Sequence, residues 1–358
     1  MATELQPAPV DGVESIDGAP AGRSPWRLAL ARLLQNRVAL AFLGLFVLIV
    51  VFCLAAPLWS THVAETGPND THTLEKVTVD GEKRDVVSPD GQPIGPVWLK
   101  AGGKFFLGAD GRLGRDEMVR LMYGGRTSLF ISLAAALVTT LLSIVLGLMA
   151  GYYRGWIDAV IARGLDIIWA FPVVLLGIAL GTALAVGGLQ IGPISISGTS
   201  IWIPTLIIGV VYVPYMARPL RGEVLALREK EFVEAAVAQG AGPLRVMFGE
   251  LLPNLWSTII VFFALNIANN MLLESALSFL GAGVQAPNSS WGTMISTGFE
   301  LIQSAPLLTI LPGAMILLTV LSLNVFADGL RDALDPKSRV RLEVEAHSGL
   351  IEPEGPAV

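Results

Sequence analysis

One cysteine, three histidines and little charge set the first limits on this chain. Cys53 sits in an apolar run with no partner for an intrachain disulfide, and His62, His72 and His347 are scattered, so no cluster has zinc-ligand spacing. A redox or structural-metal role is not expected. Asp110, Asp116 and Glu117 fail the spacing of a calcium loop. No G-x-x-x-x-G-K-[ST] loop is present to cradle nucleotide phosphates, and neither an H-E-x-x-H pair nor a Ser/His/Asp order marks a hydrolase. No cofactor is expected in this chain, and any ATP-driven step needs another polypeptide. The net charge of -6 supplies no broad basic field, so nucleic acid is not an expected partner.

Charged residues make up 15% of the chain and hydrophobic ones 53%, against roughly 25% charged in soluble domains. Charge gathers at the ends and in a few internal islands, the pattern of a multi-span membrane protein. About 20 apolar residues cross a hydrocarbon core ~30 Å thick. Six stretches qualify: Val38–Trp59, Ser128–Tyr152, Ile161–Val186, Ile201–Ala217, Trp256–Leu280 and Leu307–Phe326. The first is too long for a signal-peptide core and lacks a small-residue cleavage site behind it. Pro172 in the third, and Pro204 and Pro214 in the fourth, predict kinks.

Basic residues in short loops set the expected orientation. Arg23, Arg27, Arg32 and Arg37 precede the first span, and Arg154, Arg163, Arg218, Arg221, Arg228, Lys230, Arg245, Arg331 and Lys337 fall on the same side. The opposite loops, Gly187–Ser200 and Ala282–Pro306, contain no Lys or Arg. Both termini are therefore expected in the cytoplasm.

The expected organisation is a disordered cytoplasmic segment 1–25, a basic approach and first span 26–59, an extracytoplasmic insert 60–127, a five-span core 128–330 and a cytoplasmic tail 331–358. Two Asp-Gly pairs among alternating Val and Thr predict a hairpin-rich insert.

Within the cytoplasmic loop 218–255 lies EFVEAAVAQGAGPLRVMFGELLPN, Glu231 to Asn254. It reads as two short helices, broken at Gly240 and stopped at Pro253. Phe232, Val233, Ala236 and Val237 share a face of the first. Leu244, Met247, Phe248 and Leu251 in the second follow the spacing of a buried stripe. Physical reasoning leaves two readings open: a connector that packs on its own bundle or on lipid, or a rigid knob offered to a cytoplasmic partner.

The order Glu234-Ala235-Ala236, Gly240, Leu252-Pro253 resembles the EAA loop of ABC-importer permeases. LGRDEMVRLMYGGRTSL (Leu113–Leu129), AGYYRGWIDAVIARGLDIIWAFP (Ala150–Pro172), LLESALSFLGAGVQAPNSSWGTMI (Leu272–Ile295) and NVFADGLRDALDP (Asn324–Pro336) are similar to the dipeptide/oligopeptide/nickel permeases of the DppC/OppC type. The likeness runs from about Arg27 to Arg339.

It implies an all-α, six-span type I (MetI-like) permease bundle in a bacterial inner membrane. Implied partners are a homologous permease, two cytoplasmic ATP-binding subunits that would hold ATP and Mg, an extracytoplasmic substrate-binding protein and the lipid bilayer. Phe232, Val233, Glu234, Ala235, Ala236, Gly240, Leu252 and Pro253 become the expected coupling set. Two departures stand out: the insert around Glu75–Leu99 is longer than usual, and Ala109 falls where the family carries a Gly-Thr-Asp run. Both bear on substrate or binding-protein docking rather than on coupling.

Glu274 lies well inside the fifth span, where lipid exposure of a charge costs on the order of 2.5–3.5 kcal/mol. With Asn266, Asn269 and Asn270 it could line a polar path or form interhelical contacts. Asn266, Asn270 and Glu274 are the path candidates. Arg163 and Asp166, three apart, are expected to pair as an anchor. Peptide is the expected cargo, with nickel or another small solute as the alternative. A secondary transporter working without ATPases is the rival from another class, and few spans carry the buried charge it would need.

Overall fold

Apolar length decides most of the elements. The computed structural model describes residues 25–111 and 113–334; residues 1–24 and the tail beyond 334, where disorder is expected at both ends, lie outside the described residues. Helix α1 (Pro25–Gln35) leads to α2 (Arg37–Leu54), whose start is capped by the Asn36 side chain accepting the Ala39 amide at 3.0 Å. Helix α3 (Ala56–His62) follows almost directly.

The insert then forms two small antiparallel pairs. Strands β1 (Lys76–Val79) and β2 (Glu82–Asp85) turn through Asp80-Gly81, both at positive φ, and β3 (Ala109–Asp110) pairs with β4 (Arg115–Asp116). Val79, Val86, Val97, Phe105 and Ala109 give it a core of its own. Asp116 binds it to the bundle by accepting the Phe105 amide at 2.5 Å and the Val119 amide at 3.0 Å. Burial pushes its carboxyl pKa up, and the amides pull it back down.

Helix α4 (Glu117–Tyr153) is 37 residues long, about 55 Å at 1.5 Å per residue, so it begins well before the expected Ser128. Asp116 as N-cap explains the early start. The third expected span is not one kinked helix. Helices α5 (Gly155–Ala170) and α6 (Val173–Gly187) meet at 88°. Phe171 precedes Pro172, which drives it into an extended conformation (φ −93, ψ 138) and ends α5. A hairpin of β5 (Leu189–Ile191) and β6 (Ile194–Ile196) follows, which the periodicity did not predict.

Helices α7 (Trp202–Val211) and α8 (Val213–Leu227) run on as one 26-residue span, longer than the expected Ile201–Ala217. After α9 (Glu231–Ala238) come a single turn α10 (Pro243–Arg245), a π-helical turn Val246–Leu251 and α11 (Leu252–Phe279). Helices α12 (Trp291–Phe299) and α13 (Leu307–Leu334) complete the described chain. Among the described residues five helical segments are long and apolar enough to cross a membrane, or six if α5 and α6 make one bent span.

Small residues let α4 approach α7 and α8. Thr139, Ser143, Gly147 and Gly151 recur every four residues, the small-residue spacing of close helix crossings. Thr139 and Ser143 donate hydroxyls to the Gly209 and Val213 carbonyls at 2.8 and 3.1 Å. A β-carbon at Gly147 would lie 3.0 Å from that of Leu220, and one at Gly151 would lie 2.5 Å from Val224 Cγ1.

Candidate functional site

Helix α9 starts at the extended Lys230, and Glu231 and Glu234 fall in its first turn, where the positive end of the helix dipole favours them. Its anchor is Val233, 2% exposed, which packs α9 on the turn holding Val246, Met247 and Leu251, in a buried cluster that also includes Leu148 of α4 and Leu220 and Val224 of α8. The helix closes in a Schellman motif. The Gly240 amide bonds the Val237 carbonyl at 2.9 Å, and Ala241 bonds Ala236 at 3.0 Å. Gly240 holds φ +84, a conformation that side-chain-bearing residues resist.

The second half of the quoted stretch corrects the expectation drawn from spacing. It is not a separate helix stopped at Pro253: α10, the π turn and α11 follow one another without a break, and Pro253 lies in the first turn of α11. Proline has no N–H to return to a carbonyl four residues back, and a wide turn precedes it. The π turn rotates the faces. Val246, Met247 and Leu251 are buried, while Leu244 and Phe248 of the expected buried stripe are 67% and 51% exposed. Phe232 and Val237 are exposed beside Glu234, Ala235, Gly240 and Pro253; Ala236 and Leu252 are half-buried. The result is an apolar ridge, rimmed by charge, on an elbow whose inner side is locked into the bundle. Among the described residues nothing covers it.

The polar row lies elsewhere. Asn266, Asn270 and Glu274 follow one face of α11 and are all enclosed within this chain. Asn266 reaches the sulfur of Met216 at 3.5 Å, and Asn270 donates to the Ser132 carbonyl at 3.3 Å. Glu274 accepts hydroxyls from Ser128 at 2.9 Å and Ser278 at 2.7 Å. Trp291, fully buried, adds its amide to Ser128 Oγ at 3.2 Å and its indole N–H to the Leu121 carbonyl at 2.9 Å. Sequence reasoning missed Ser128, Ser132 and Trp291; Ser128 and Ser132, four apart on α4, were the available signal.

Arg163 does meet Asp166, at 3.7 Å between exposed groups. The closer partner of Asp166 is Arg218 of α8 at 2.7 Å, whose guanidinium also covers the Trp169 ring at 4.7 Å. Beside it Arg221 grips Asp158 through two bonds of 2.5 and 2.6 Å. These pairs tie α5 to α8 at two levels, Asp158 in the first turn of α5 and Asp166 nearer the bend. Asp110 accepts the Arg115 backbone amide at 2.9 Å and its guanidinium at 2.7 Å, with Arg120 at 3.2 Å.

A multi-span helical bundle with an exposed amphipathic elbow defines a membrane-embedded protein. Residues 143–340 match the model of the binding-protein-dependent transport system inner membrane component, and residues 24–74 match the N-terminal TM domain of oligopeptide transport permease C. The chain belongs to this permease family and is a permease subunit of an ABC importer. It is 37% identical to the dipeptide transport system permease protein DppC of Alkalihalophilus pseudofirmus over 88% of this chain and 91% of that one. It is 34% identical to the glutathione transport system permease protein GsiD of Pectobacterium atrosepticum over 88% and 92%. For the oligopeptide transport system permease protein OppC of Haemophilus influenzae the figures are 33%, 89% and 90%. A chain of the inward-facing MetNI methionine ABC transporter superposes with a TM-score of 0.49 at 14% identity, covering 60% of this chain and 96% of that one.

Proposed function

We propose that this chain is the permease of a peptide importer, seated in a bacterial inner membrane with both termini and the α9–α10 elbow in the cytoplasm. The names of the relatives, which carry dipeptide, oligopeptide and glutathione systems, support the cargo. The distribution of Lys and Arg supports the orientation. A homologous permease would complete the path, a substrate-binding protein would deliver peptide on the side of the 60–116 insert, and two ATPase subunits would dock on the elbow.

The observation that carries the coupling role is the ridge itself. Phe232, Val237, Leu244 and Phe248 are exposed although Val233, Met247 and Leu251 bury their neighbours in the bundle. Such a ridge fits helix-in-groove docking, with Glu234 at the rim setting register and Ala235 and Ala236 permitting close approach. Because Val233 packs α9 onto the π turn that runs straight into α11, a push on the ridge by closing ATPases would turn that span as a rigid body. Gly240 sets the angle between the two arms, and Leu252 and Pro253 carry the push into α11. Asn266, Asn270 and Glu274, on the same helix, are the proposed polar lining that such a rotation would open.

The test is co-purification. Phe248→Asp alters an exposed side chain and is expected to lower ATPase retention roughly tenfold, as loss of an apolar anchor does, while the permease still inserts. Retention equal to wild type would overturn the docking surface. Uptake assays with labelled dipeptides against nickel, in vesicles holding the whole importer, decide the cargo.

A further inference from the structure

A cavity of about 670 Å³ opens between α2 and α4. Leu54, Val50 and Phe46, one face of α2, form one wall, and Phe130 and Leu133 of α4 face them. The two helices run antiparallel there, since Gly125 abuts Cys53 while Phe46 packs against the cluster that holds Ala136. Depth along the cavity is therefore legible: its polar side chains, Tyr123, Arg126 and Thr127, sit at one end, and the lining grows apolar over about 10 Å of helix.

Arg126 is the odd member. Its guanidinium lies 5.4 Å from the Tyr123 ring centroid, and no carboxylate among the described residues pairs with it. An unpaired guanidinium near the end of a span requires an anion or water. Its planar fork suits a phosphate bidentately. The apolar wall below offers no donors or acceptors for the backbone of a peptide, whose amides would go unsatisfied there. An acyl chain has no such need.

We infer that this cavity is a phospholipid site: the phosphate is held by Arg126 at the mouth, and one acyl chain lies against Val50, Phe46, Phe130 and Leu133. The bound lipid would fill the seam between α2 and the rest of the bundle and tie the first span to α4. The inference goes beyond the transport role and stands or falls independently of the cargo.

The test uses the whole importer, purified in mild detergent from membranes containing phosphatidylglycerol and weighed intact by native mass spectrometry. The expected result is one retained phospholipid per copy of this chain, lost in Arg126→Gln and also lost in Leu133→Trp, which fills the lower end and leaves the guanidinium in place. The second variant keeps the test open if the first does not assemble. Adding inorganic phosphate alone is expected to leave the lipid in place and the melting temperature unchanged. An unchanged lipid count in both variants, a retained mass that is a peptide, or an equal melting shift from inorganic phosphate would overturn the site.

Discussion

Ser128 on α4 donates its hydroxyl to Glu274 on α11 at 2.9 Å and receives the backbone amide of Trp291 at 3.2 Å. One side chain thus joins two long helices to the short α12. All three residues are buried, so every bond in the junction is shielded from competing water. Replacing Glu274 with Ala strands the Ser128 and Ser278 hydroxyls and should cost about 1–3 kcal/mol. Glu274→Gln keeps an acceptor and should cost less. Thermal unfolding of the purified importer measures the difference, and an Ala variant as stable as Gln would remove the junction from the list of supports.

Gly151 and Val224 define how closely α4 and α8 cross. A β-carbon at Gly151 would sit 2.5 Å from Val224 Cγ1 and 2.6 Å from its Cβ. Gly151→Ala should therefore destabilise by about 1–3 kcal/mol through overpacking. The double variant Gly151→Ala/Val224→Ala should recover much of that loss. Additive losses in denaturation would show that the two residues are not the point of contact.

Gly240 is required for its backbone angle and not for space. It holds φ +84, yet a β-carbon there would meet nothing within 4 Å. Asn, which tolerates this region, should preserve coupling, whereas Val should cost about 1–2 kcal/mol locally and uncouple ATP hydrolysis from uptake. Equal uptake by the Asn and Val variants would contradict a hinge set by φ.

The bidentate pair Arg221–Asp158 ties α8 to the first turn of α5, at the end of that helix far from the 88° bend. Both groups retain contact with solvent, so the coupling should be small, about 0.2–1 kcal/mol. The exchange Asp158→Arg/Arg221→Asp should restore part of what either single reversal loses. A double-mutant cycle with no coupling would show that this pair does not hold α5 against α8.

The elbow shows how far periodicity reaches. Glu234-Ala235-Ala236 and Gly240 were legible because they are local signals: a helix, a left-handed cap and a recognisable order of residues. The face presented by Leu244 and Phe248 was not, since regular helical spacing predicts burial of both and a π turn at Val246–Leu251 reverses it. Likewise Glu274 was visible as a buried charge, but its partners Ser128 and Ser278 lie 146 and 4 residues away, and only the nearer could be guessed. The Arg163–Asp166 pair was expected from spacing, and the structure adds Arg218 as the nearer ligand across a helix interface.

Apolar length by itself determined that this chain crosses a membrane repeatedly, because no other solvent accepts so many uninterrupted hydrophobic stretches. The residue order around Gly240 determined its family. Tertiary structure alone decided which side chains of the elbow remain uncovered, where the third span breaks into α5 and α6, and how the Thr139–Gly151 stripe meets α8. Those outcomes depend on contacts between residues far apart in the chain, and on a wide helical turn whose rotation no fixed period encodes.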